Sequence, residues 1–147
     1  MLQRRRSFVG MVLGFALTSL LPEVASAAPS DAVIRWINEL RARENLSPLA
    51  AYADLTDDAE AHSATMAQRG VVFHYPSLAT ATSGYAVLTQ FEARAHTLSE
   101  ALKLALGSDE HHDQVYGDYD RIGVGVGESG GFVYVTWFFM KTRAASS

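Results

Sequence analysis

Cysteine is absent from this 147-residue chain. That excludes disulfide staples, thiolate metal ligands, a cysteine nucleophile and a lipid-attachment cysteine. Long apolar runs are scarce too. The best one, "SFVGMVLGFALTSLL" at residues 7–21, is short for a membrane span and broken by Gly, Ser and Thr. No repeat, low-complexity tract or long linker occurs, so one small domain is expected. A G-x-S-x-G nucleophile elbow is missing. "GVGVGESGG" has no Lys-Ser/Thr after it and no helix to follow, so it is not a phosphate loop. The acids Asp109, Glu110, Asp113, Asp118 and Asp120 lack the alternating oxygens and central glycine of an EF-hand, and read as a solvated face.

What is present begins with a leader. "MLQRRR" is a basic n-region, the apolar stretch follows, and "PEVASA" supplies small residues at Ala25 and Ala27. This predicts a signal peptide over residues 1–27, cleaved before Ala28. Arg5 to Val9, "RRSFV", also resembles a twin-arginine signal, so the general and twin-arginine routes both stand. The expected destination is the periplasm or the exterior. Cleavage removes Arg4, Arg5, Arg6 and Glu23, which takes the net charge from −4 to −6 and leaves no basic cluster. Nucleic acid and anionic lipid are therefore poor partners.

Residues 28–147 are expected to form one domain whose helices come first. "SDAVIRWINELRARENLSP" offers Ser30 and Asp31 as caps, sets Val33, Ile34, Ile37 and Leu40 at helical spacing, and stops by Pro48. "DLTDDAEAHSATMAQRGVVF" predicts a second helix, capped at Asp54 or Thr56 and closed at Gly70. "TLSEALKLALG" has capping-box form, Thr97 with Glu100, and ends at Gly107. "RIGVGVGESGGFVYVTWFFM" reads as two strands around a turn at Glu128–Gly131. Tyr134, Trp137, Phe138 and Phe139 then fall on sheet core and face. Residues 75–95 carry weak periodicity and predict no element. The class is α+β.

Five pieces stand in a distinctive order: "INELRARENLSPL", "LTDDAEAHSATMA", "FHYP", "SDEHHDQV" and "RIGVGVG…FVYVTWFF". Together they resemble the CAP family of cysteine-rich secretory proteins, antigen 5 and pathogenesis-related 1 proteins, in its small bacterial secreted form. The resemblance covers nearly all of residues 28–147. It implies an α-β-α sandwich, with the C-terminal hairpin completing an antiparallel sheet. It also implies a cleft where two histidines meet and can hold a divalent metal, commonly zinc, aided by glutamates. By position those histidines are His74 and His111, with His112 where an arginine is usual. Two imidazoles suit zinc and leave positions open.

The departures weigh on function. The family's Gly-Glu-Asn glutamate has no counterpart, because Gly84 is followed by Tyr85, and the second glutamate is absent near Ser108. Asp109 replaces the family's proline. Glu92, Asp109 and Glu110 are the nearest carboxylates in sequence. Without one of them facing the cleft there is no general base to activate water.

Plainer readings stand beside these. A turn before Pro76 accounts for His74 equally well, and a solvated polar loop accounts for His111. His62 reads as a satisfied, partly buried histidine, His96 as surface, and His112 as exposed beside Asp113 or Glu110. The expected function is a secreted, non-catalytic binding module for a small apolar, lipid-like or cell-envelope ligand, with zinc optional. The alternative is a metal-dependent peptidase or esterase using the same cleft.

Overall fold

The computed structural model describes residues 28–145; the expected leader, residues 1–27, lies outside them. In chain order the elements are α1 (Pro29–Arg43), β1 (Ala50–Ala51), α2 (Ala53–Arg69), α3 (Leu78–Ala81), β2 (Tyr85–Ala95), α4 (Leu98–Leu106), α5 (Asp109–Tyr116), β3 (Arg121–Ser129) and β4 (Phe132–Thr142). They build a sheet of order β1-β3-β4-β2 between two helical layers. β4 pairs antiparallel with both β3 and β2, whereas the two-residue β1 runs parallel to β3.

Alternation along the strands sorts the layers. Ile122, Val124, Val135, Trp137 and Phe139 join Val33 and Ile37 of α1, Ala101 and Ala105 of α4 and Val115 of α5 in the larger core. The opposite face carries Phe138 and Met140 against Leu55 and Ala59 of α2, and Tyr134 against Met66. The α-β-α sandwich is thus present.

"RIGVGVG" acquires a physical reason here. Gly123, Gly125 and Gly127 share the face beneath α2, and a Cβ on any of them would collide with backbone at Leu55, Ala59 or Ser63. Their absence of side chains lets α2 lie directly on β3, where Ser63 Oγ donates to the Gly125 carbonyl at 3.0 Å. The hairpin turn falls at Gly130 and Gly131, both with positive φ as a tight two-residue turn requires.

The "N-x-x-R-x(5)-S-P-L" stretch is likewise structural. Asn38 exchanges two hydrogen bonds with the backbone of Leu49, at 3.0 and 2.8 Å. Arg41, 2% exposed, donates to the carbonyls of Ser47, Val115 and Gly117. These contacts tie the end of α1 to the segment before β1 and to the end of α5.

Several boundaries differ from expectation. α1 begins with Pro29 in its first turn and α2 after Tyr52, and neither start has a side-chain cap, so Ser30, Asp31, Asp54 and Thr56 do not cap them. A proline at the first helical position has no amide to satisfy, which makes a cap less necessary. Thr97 does accept from Glu100 N–H, while the Glu100 carboxylate returns to His96 N–H. Residues 85–95 form an eleven-residue strand that weak periodicity had hidden. β2 is a sheet edge, half-buried on both faces, so its side chains do not alternate cleanly.

Candidate functional site

On the α2 side of β2, His62 is buried in α2 and its Nε2 lies 2.7 Å from the Phe73 carbonyl. A carbonyl only accepts, so Nε2 carries the proton. His62 is therefore the satisfied, buried histidine expected. The loop that follows is sewn to β2. Tyr75 N–H donates to Gln90 Oε1 at 2.8 Å, and His74 Nδ1 lies 2.7 Å from Glu92 Oε2.

Glu92 is the residue whose placement sequence left open. Its side chain is only 2% exposed, while that of His74 is 77% exposed. Glu92 Oε1 is buried without a hydrogen-bond partner and sits 3.9 Å from His62 Nε2. Burial pushes the Glu92 carboxyl above the ordinary range, and the bond to His74 only partly opposes this. On this face, then, a buried acid lies joined to an exposed imidazole.

The other face holds His111. The pair His111–His112 sits on a helix, α5, and not on the polar loop that composition suggested. Ser108 caps it by accepting His111 N–H, and Asp109 and Glu110 occupy the positive end of the helix dipole. That cap signature was in the sequence, hidden within a run read as merely acidic. His111 Nδ1 is 3.1 Å from Ser108 Oγ, and its ring meets Phe91 edge-on at 4.5 Å. Phe91 in turn stacks on Trp137 at 4.4 Å. Asp109 and Glu110 are exposed, as is His112 with Asp113 3.7 Å away. His96 is exposed and stacks on Phe132. Asp118 pairs with Lys141, and Asp120 accepts from Thr142.

Between the two faces runs an open cavity of about 620 Å³ along β2. Val71 and Val72 wall one side; Leu104, Ser108 and His111 wall the other; residues 91–94 of β2 lie between. Glu92 and His111 both reach this cavity, whereas His74 holds Glu92 without lining it. Among the described residues no group of three or more His, Asp or Glu side chains converges to hold a metal. The donors present do not fit a zinc site, because Glu92 and His74 bind each other and His111 stands across β2 from them.

No helix among the described residues is long and apolar enough to cross a membrane. No curated protein matches the chain by sequence. Solved structures do. An outer surface protein of Borrelia burgdorferi is 17% identical, with a TM-score of 0.69 over 77% of this chain and 92% of its own. An extracellular SCP-domain protein of Bacillus anthracis is 24% identical, with a TM-score of 0.66 over 77% of this chain. A cysteine-rich secretory protein of Staphylococcus aureus is 22% identical, with a TM-score of 0.64 over 76% of this chain. The chain spans only 40% and 38% of the last two proteins. Residues 34–141 match the sequence profile of the cysteine-rich secretory protein family. Cysteine-free though it is, the chain belongs to the CAP family.

Proposed function

We propose that this chain is an exported, non-catalytic CAP-domain binding module. Its cleft along β2 takes a small apolar, lipid-like or cell-envelope ligand, with His111 and the His74–Glu92 pair as the polar groups beside it. One observation carries the reading. The cavity is lined mostly by apolar surface, and its two candidate bases are each held at one atom, Glu92 Oε2 by His74 and His111 Nδ1 by Ser108. Export rests on the leader, and on the outer-surface and extracellular descriptions of two neighbours.

A hydrolase remains the second reading because Ser108 Oγ lies 3.1 Å from His111 Nδ1, a nucleophile–imidazole distance. Against it, the contact is a helix cap three residues long, and the one carboxylate lining the cavity is bonded to His74 instead of orienting His111.

A dansyl-labelled eleven-carbon fatty acid titrated into the protein tests the binding reading, with p-nitrophenyl butyrate hydrolysis measured beside it. Saturable binding weakened by Leu104→Asp, with no hydrolysis above buffer, supports the module. Hydrolysis lost in both Ser108→Ala and His111→Ala replaces it with the hydrolase. Zinc is expected to bind no tighter than about micromolar, since His74 and His111 are not joined by a carboxylate. Calorimetry that found tight one-to-one zinc binding, abolished by either histidine variant, would overturn that expectation.

A further inference from the structure

The register of the sheet determines which backbone groups of β2 are free. Tyr52 N–H bonds the Ile122 carbonyl, so Ile122 faces β1 and its neighbours Gly123 and Gly125 face β4. Their partners Phe138 and Thr136 then face β3, which leaves Trp137 and Val135 facing β2. Trp137 and Val135 pair with Phe91 and Ala93. It follows that the N–H and C=O groups of Gln90, Glu92 and Arg94 all point away from β4, into the cleft. The Gln90 carbonyl is covered by Gln114 Nε2 at 3.4 Å. Glu92 and Arg94 have no backbone partner beyond the sheet among the described residues.

Three further observations converge on this edge. First, the described chain exposes four large apolar residues, Val71, Val72, Val87 and Leu104; Val87 is on β2 itself and the other three wall its cleft. Second, a second cavity of about 480 Å³ continues from Arg94 to His96, sharing Arg94 and Leu104 with the first. The groove thus follows β2 for five or six residues, the length of a short strand. Third, the groove carries two cations, Arg94 and Lys103, beside two carboxylates; Glu92 is bonded to His74, and Glu100 Oε2 accepts from His96 N–H. Such a mixed-charge rim suits a peptide, whose backbone dipoles and free terminus can meet both signs.

We propose that the groove binds an extended peptide that adds a strand to β2. The peptide's backbone would pair with Glu92 and Arg94, with apolar side chains between Val72 and Leu104 and a carboxylate toward Arg94 and Lys103. Free edge amides select a backbone with donors and acceptors of its own, which a fatty chain does not have. The inference rests on the binding-module reading and narrows its ligand to one class.

The test pans full-length protein against random hexapeptides with free C-terminal carboxylates. Each selected peptide is then N-methylated at alternate amides, in the two possible phases. One phase is expected to weaken binding about tenfold or more, as the loss of paired backbone donors implies, and the other to leave it nearly unchanged. Arg94→Pro, which removes an open-edge donor without breaking a bond to β4, is expected to weaken the same peptides. The methylation series needs no change in the protein, so it stands even if that variant misfolds. Equal effects of both phases would overturn strand addition. Failure to select peptides, while the dansyl fatty acid still binds, would overturn this inference and leave the binding module intact. Failure of both probes would remove the module as well. A concentration-dependent dimer in sedimentation, abolished by Arg94→Pro, would assign the edge to a second copy and overturn the peptide.

Discussion

β3 and β2 flank the same central strand, β4, yet one is sealed and the other open. β3 lies under α2 with glycine at every second position, so helix and strand backbones meet without side chains between them. β2 has α4 on one face, the 70–75 loop and α2 on the other, and among the described residues no strand pairs along its free side. Edge strands of this length are usually blunted or covered, because they invite pairing. Among the described residues only the Gln90 end is covered, by Gln114. The contrast separates a strand sealed by close backbone packing from one whose edge stays open among the described residues.

The sharpest way to break that contrast is Gly125→Ala. The new methyl has no space against the Ala59 backbone, so a loss of more than about 3 kcal/mol, the top of the overpacking range, is expected in denaturant melts. A melt within error of the parent would show that α2 can lift off β3 at little cost. Next in size is Arg41→Met, which removes three bonds from a buried guanidinium to backbone carbonyls and should cost about 3 kcal/mol. An unchanged midpoint there would mean that water replaces those bonds and that α1 is not tied through Arg41.

Glu92→Gln probes the open side through pH. Burial raises the folded Glu92 carboxyl above its unfolded value, so the folded state holds the extra proton. Stability from this group is therefore full below the ordinary glutamate range and declines as pH rises through the raised value. The variant is expected to flatten that decline in thermal melts from about pH 4 to about pH 8. Parallel pH profiles for parent and variant would mean that His74 fully compensates the buried charge. The smallest effect is expected for Leu104→Asp, at 55% exposure: less than about 0.5 kcal/mol in stability, with the cleft probe weakened. A large loss of stability would mean that Leu104 belongs to the core rather than to a binding wall.

Local signals were readable where one residue type has one dominant use. Gly70 closing α2, Thr97 capping α4 and the two glycines of the hairpin are of this kind. β2 escaped because an edge strand touched on both faces has no period to detect. α5 escaped because its cap and two acids looked like a polar loop. Within the site, residue order singled out His74 and His111, and Glu92 was only the nearest carboxylate in sequence.

By itself, then, the sequence determined the α+β class, the helical start, the terminal hairpin and the family-like order of motifs, because caps, periodicity and turn glycines act over a few residues. Tertiary structure alone decided that Glu92 is buried under His74, that His111 lies across β2 from them, and that the amides of Glu92 and Arg94 face an open groove. Those facts depend on which strand is last in the sheet and on the phase of its pairing with β4, and both are set by contacts far apart in the chain.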